Sequence, residues 1–202
     1  MPTRLILIRH GQTDWSLQRR YCSFTDVDLN EQGKSQAKRF TERLKRIEKI
    51  HRVYASDKKR ALQFALIALK GRLVERLPEL REMNFGIFEG LTHREIMNKY
   101  PDVYKKWLNN PLGTIIPRGE GLNSLANRTR KALAKILSIN NNKTVAVFTH
   151  AGPIKVILCD ILKLDLGKIW QIKQDLACLN VIEFYEGSSK VHLLNDTSYL
   201  NG

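Results

Sequence analysis

The apolar residues of this chain follow two periods. Leu5-Ile6-Leu7-Ile8 and Val145-Ala146-Val147-Phe148 are short continuous runs without polar alternation, so they predict strands of a parallel sheet covered on both faces. Elsewhere the spacing is helical. Ala37, Phe40, Leu44 and Ile47 predict a helix opening near Asn30 as N-cap, residues 61–69 form a compact apolar helix, and Leu122, Leu125, Leu133 and Ile136 line a helix over about 121–137. Residues 51–56 and 73–75 read as further short strands, and Ile154, Ile157, Leu158 and Ile161 as a helix after the run that ends at Thr149. Segments 179–185 and 190–194, joined through Glu186-Gly187-Ser188-Ser189, predict a hairpin at one sheet edge. Strand and helix alternate, which gives an open α/β fold.

The pattern breaks between about 78 and 118. Glycines at 86, 90 and 113 and prolines at 101, 111 and 117 interrupt short amphipathic pieces at 92–100 and 102–108. This stretch reads as a helical cap inserted over the sheet within a single domain of 202 residues.

Both buried runs end in titratable residues. The first leads into Arg9-His10-Gly11 and the other into His150-Ala151-Gly152. A strand interior cannot hold an unpaired arginine and histidine without a large desolvation cost, so these residues belong at the strands' carboxyl ends. That is where open α/β sheets bind ligands, and Gly11 lets backbone approach a bound anion. Side chains pointing into solvent remain an alternative for the motif taken alone.

Composition narrows the classes. Apolar content of 43% and charged content of 27% are those of a soluble globular protein, and four apolar residues before Arg9 are too few for a signal-peptide core. A cytoplasmic location and no membrane partner are expected. Cys22, Cys159 and Cys178 are widely spaced and read as reduced thiols, Cys159 in the core and Cys22 in a polar loop facing the site. The net charge of +14 favours anionic partners, and much of it is local. From Lys34 to Arg60 eleven basic side chains face only Glu42, Glu48 and Asp57, the pattern of a solvated helix face. Aromatic residues do not interleave with them, so nucleic acid is not the expected partner.

Four motifs then carry a resemblance: Ile8-Arg9-His10-Gly11-Gln12-Thr13-Asp14-Trp15, Ser56-Asp57-Lys58-Lys59-Arg60-Ala61-Leu62-Gln63, the stretch from Leu80-Arg81-Glu82 to Phe88-Glu89-Gly90, and Thr149-His150-Ala151-Gly152. In order and spacing the chain resembles the histidine phosphatase superfamily, also called phosphoglycerate-mutase-like. The resemblance implies a three-layer αβα sandwich, with a mostly parallel central sheet, an antiparallel edge strand and the helical cap. It also implies roles. His10 is the nucleophile that forms a phosphohistidine, Arg9 and Arg60 clamp the phosphoryl oxygens, and His150 donates to one of them. Glu82 protonates the leaving alkoxide and then activates water, with Glu79 and Glu89 as alternatives. No metal or organic cofactor is implied, and a sheet-edge homodimer is compatible with the family.

The chain departs from the family pattern at Ser16, where members carry asparagine, and at Cys22-Ser23, where many carry glutamine-glycine; these three enter as candidate phosphate-binding positions. The implied activity is a metal-independent phosphomonoesterase acting on a small phosphorylated metabolite. In appearance the chain is nearest the bacterial α-ribazole phosphatases, through segments such as Ile116-Pro117-Arg118-Gly119-Glu120-Gly121. Phe85, Phe88 and Trp107 would be the rings available to a benzimidazole, or else ordinary cap packing. Phosphoserine phosphatase and cofactor-dependent phosphoglycerate mutase are alternatives within the family; a basic nucleic-acid-binding or scaffold protein on an inactive fold is the alternative outside it.

Overall fold

The computed structural model describes residues 1–44 and 49–200, so the predicted helical position Ile47 and the charges of Lys45, Arg46 and Glu48 lie outside the described residues. Six strands form a single sheet in the order β3-β2-β4-β1-β5-β6: β1 Thr3–Arg9, β2 Arg52–Ala55, β3 Val74–Arg76, β4 Thr144–Thr149, β5 Leu179–Tyr185 and β6 Ser188–Asp196. The first four are mutually parallel; β5 runs antiparallel to β1 and to β6. The antiparallel strand therefore lies one place inside the edge, and β6 is the edge. The hairpin turn is only Glu186-Gly187, because Ser188 and Ser189 already pair with Tyr185 and Phe184.

β1 shows why its sequence is continuously apolar. Leu5 and Leu7 belong to one hydrophobic cluster and Ile6 and Ile8 to another, all fully buried, as a period of two requires when both faces are covered. Helices α2 (Glu31–Leu44) and α3 (Lys59–Ala68) cover the Ile6/Ile8 face through Phe40 and Phe64. Helices α6 (Leu122–Ile139) and α7 (Ala151–Leu162) cover the other through Leu125, Ile136, Ile154 and Ile157. This is a three-layer αβα arrangement. Replacing Ile6 by alanine in so tightly closed a layer would cost about 2–5 kcal/mol.

Asn30 caps α2 as its sequence predicts, its Oδ1 accepting from Gly33 N at 2.9 Å. The start of α2 is pressed onto the turn after β1. A Cβ on Gly33 would lie 2.1 Å from the Gln12 carbonyl oxygen, and one on Gly11 would lie 2.9 Å from both the Gly33 oxygen and Gln36 Oε1. Gly11 thus serves helix packing, a role the sequence did not show beside the close approach to an anion expected there.

Between β3 and α6 come α4 (His93–Lys99), capped reciprocally by Thr92 and Glu95, and α5 (Pro101–Asn109), with proline in its first turn. Their Ile96, Tyr104 and Trp107 join the cluster on the α6/α7 face. A short helix α1 (Asp14–Leu17) follows β1. Among the described residues no helix is long and apolar enough to cross a membrane.

Candidate active site

β1 and β4 pair in parallel with Arg9 opposite Thr149, so the residues that follow, His10 and His150, emerge side by side. His10 N donates to the Thr149 carbonyl at 3.0 Å, and the rings meet edge to face with centroids 5.1 Å apart. Both are buried. A carbonyl only accepts, so the 2.8 Å contact between His10 Nδ1 and Gly11 O places the proton on Nδ1 and leaves Nε2 with its lone pair. Burial, then the charges of Arg60 and Arg9, hold the His10 imidazole well below its ordinary pKa. Burial acts likewise on His150, followed by Arg60 and His10. Both rings are neutral at neutral pH, which a nucleophilic nitrogen requires.

Arg9 and Arg60 surround this pair with positive charge. Arg9 Nη1 donates to Gln174 O at 2.6 Å, and Gln174 is fixed by a reciprocal amide pair with Asn180 at 2.8 and 3.1 Å. Arg60 lies in the first turn of α3, yet it is fully buried and not part of the exposed basic run. Its guanidinium donates to the carbonyls of Ser23 at 2.9 Å, Thr25 at 3.1 Å and Cys22 at 3.3 Å. The Nε atoms of both arginines and Nδ1 of His150 are buried without a partner among the described residues. Each such group costs about 1–3 kcal/mol, an expense an acceptor-rich anion would offset.

Glu82, on the loop after β3, lines one cavity with Arg9 and His10. Its carboxylate, almost wholly buried, accepts from Met83 N at 2.8 Å and from Gly152 N at 3.1 Å. A Cβ on Gly152 would sit 2.2 Å from Glu82 Oε1, so only glycine admits the carboxylate there. Arg128 of α6 staples the loop, donating to the carbonyls of Glu79, Arg81 and Glu82 at 2.6–2.8 Å and to Glu120. Glu79 is exposed, and Glu89 is occupied elsewhere, leaving Glu82 as the carboxylate beside His10. This cavity of about 570 Å³ is lined by Arg9, His10 and Glu82, and also by Arg19, Tyr21, Phe85, His93 and Tyr104.

The sequence model of the histidine phosphatase superfamily (branch 1) matches residues 5–197. The chain belongs to this superfamily. It is 34% identical over 199 residues to phosphoserine phosphatase 1 of Hydrogenobacter thermophilus, covering 98% of this chain and 94% of that protein. Identity to the adenosylcobalamin/alpha-ribazole phosphatase of Salmonella typhimurium is 27% over 194 residues, covering 95% and 96%. The solved structure of Bacillus stearothermophilus YhfR superposes with a TM-score of 0.91 at 30% identity over 98% of this chain and 99% of that one.

Within this histidine phosphatase fold, the positions where the sequence departs from the family pattern divide. Ser16 lines the cavity, but its hydroxyl donates to Thr13 O at 2.8 Å and accepts from Thr13 N at 2.9 Å, closing the capping box of α1. Cys22 also lines the cavity, with a thiol that burial pushes up to about 11. Ser23 does not present its side chain there: fully buried, its hydroxyl bonds Glu89 and accepts from Phe85 N. Phe88 and Trp107 are also buried, leaving Phe85 alone of the three candidate rings at the cavity wall. Gln174, Asn180 and Arg128 carried no signal in the sequence, because each acts by holding another site residue; Glu89, an alternative to Glu82 in the sequence, holds the Ser23 loop instead. Among the described residues no group of three or more His, Cys, Asp or Glu side chains is gathered to hold a metal.

Proposed function

We propose that this histidine phosphatase hydrolyses a small phosphorylated metabolite through a phosphohistidine on His10. The observation that carries the reading is the neutral His10 with Nε2 unprotonated, set beside Arg9, Arg60 and His150. In the first step Nε2 forms the N–P bond as the ester P–O bond breaks, and protonated Glu82 gives its proton to the departing oxygen. In the second, ionised Glu82 takes a proton from water as the water oxygen bonds phosphorus; the N–P bond breaks and its electron pair returns to Nε2. Arg9, Arg60 and His150 hold the phosphoryl oxygens throughout.

For the substrate we favour a small polar ester such as phosphoserine over α-ribazole 5′-phosphate. Burial of Phe88 and Trp107 removes two of the three rings the sequence offered a benzimidazole, the Tyr21 and Tyr104 rings that also line the cavity are tied to each other through their hydroxyls, and Arg19 and His93 offer polar contacts along the lining. Relatives named for each activity are found among the proteins this chain resembles.

The test is phosphate release in EDTA from p-nitrophenyl phosphate, phosphoserine and α-ribazole 5′-phosphate. Steady release, with acid-labile phosphate trapped on the wild-type protein and both lost in His10→Ala, is the expected result. Interconversion of 3- and 2-phosphoglycerate with negligible hydrolysis would instead identify a mutase.

A further inference from the structure

Behind Glu82 lies a second, smaller cavity of about 70 Å³, walled by Leu122, Leu125, Ile169 and Trp170. Into this apolar enclosure project both Glu82 and Lys155. Lys155 stands three residues past Gly152 on α7, and Gly152 N–H is the donor that holds the Glu82 carboxylate. Positions three apart share a helix face, so Lys155 stands on the α7 face that carries Gly152, and its side chain lines the same cavity as Glu82. The Lys155 Nζ lies 5.3 Å from the centre of the Trp170 ring, and among the described residues no carboxylate comes within ion-pair distance of it.

We propose that Lys155 is a positioning residue for Glu82: its ammonium, seated on Trp170, supplies the positive field that stabilises the carboxylate after the proton has gone to the leaving group and until water arrives. The inference rests on the role given to Glu82 above. The groups facing the two residues agree with it. Burial lowers the Lys155 pKa and Arg9 opposes its charge, while Glu82 and then Cys159 favour it. Glu82 is faced by Arg9 from β1, Lys155 from α7 and the un-ionised Cys22 thiol from the loop before α2; Arg128 of α6 is committed to backbone carbonyls and Glu120. Removing Lys155 leaves Arg9 as the main cation acting on the carboxylate, and Arg9 must also serve the phosphate.

The experiment measures kcat and KM against pH with phosphoserine and p-nitrophenyl phosphate for the wild type, Lys155→Met, Lys155→Gln, Lys155→Arg and the surface charge control Lys38→Met. Both uncharged variants should move the phosphoserine kcat optimum upward by roughly half to one pH unit and lower kcat at the wild-type optimum about three- to tenfold, with a smaller change in KM. The movement should be smaller for p-nitrophenyl phosphate, whose phenolate leaves without needing a proton. Lys155→Arg and Lys38→Met should keep the wild-type profile. Uncharged variants that superimpose on the wild type, or an arginine variant that moves as far as they do, would overturn the proposal. A wild-type protein that releases no phosphate from either ester overturns the assigned activity and this proposal with it, whereas wild-type turnover with unmoved variants overturns the proposal alone.

Discussion

At the scale of single residues, the reaction divides between groups that carry charge permanently and one that must change it. In the proposed mechanism Arg9 and Arg60 hold the phosphate and move no protons. In that proposed mechanism Glu82 carries the proton, and its carboxyl is fixed by the Met83 and Gly152 amides at 2.8 and 3.1 Å. Glu82→Gln preserves much of that geometry and removes the proton. We expect kcat for phosphoserine to fall about a hundred- to ten-thousandfold. With p-nitrophenyl phosphate the first step should survive better, so phosphohistidine should accumulate and be trapped in larger amount than in the wild type. Equal losses on both esters with no accumulation would show that Glu82 does not serve as acid and base. The placement of Arg9, His10 and His150 at strand ends was legible in the sequence because an unpaired charge is costly inside a strand. At Gly11 the missing Cβ also answers to Gly33 and Gln36 of a helix more than twenty positions on, a contact no local pattern contains.

The next scale is the element, where the loop from Cys22 to Thr25 is the part that the sequence described least well. Glu89 organises it. Its carboxylate accepts from Ser23 N at 2.9 Å, Thr25 N at 3.1 Å and the Ser23 hydroxyl, and the same loop turns its carbonyls onto Arg60. Glu89→Ala removes all three acceptor contacts at once. Stability should fall by about 1–3 kcal/mol, and kcat/KM should fall as Arg60 loses the carbonyls that aim it. Amide exchange at Ser23 and Thr25 should accelerate in the variant while exchange in β1 and β4 does not; unchanged exchange at the two loop amides would remove Glu89 from this role. Strands and helices were readable because period and capping are local properties, as Asn30 at the start of α2 shows. Ser23 enters as a phosphate-binding candidate through its place in the family pattern, whereas the partners of its hydroxyl, Glu89 and Phe85, lie more than sixty positions along the chain. Loop side chains take their roles from such distant partners, and spacing within one motif does not encode them.

For the molecule as a whole, the site is built into the junction of the core. The two clusters on opposite faces of the sheet meet along β1 and β4, and the fold places neutral imidazoles at the ends of both strands. This arrangement links stability to pH. His10 and His150 have native pKa values held well below the ordinary value of about 6.5, whereas in the unfolded chain they titrate near it. Between those values the unfolded state binds more protons, so the free energy of unfolding increases with pH. Stability is therefore full above about pH 6.5 and declines as the pH falls toward the native pKa values. Each histidine contributes a slope of up to about 1.4 kcal/mol per pH unit in that window. Carboxylates such as Asp57, whose pKa is lowered by its hydrogen bond to Arg81, add their own loss only at more acidic pH, because their unfolded values lie near 4. Denaturant unfolding of the phosphate-free protein should thus show a decline that begins near pH 6.5, well above the carboxylate range. In His10→Asn that part of the slope should shrink, since one of the two groups no longer titrates in the unfolded state. A wild-type stability that stays flat down to about pH 5, or a slope identical in His10→Asn, would mean that the imidazoles are not held neutral by the fold.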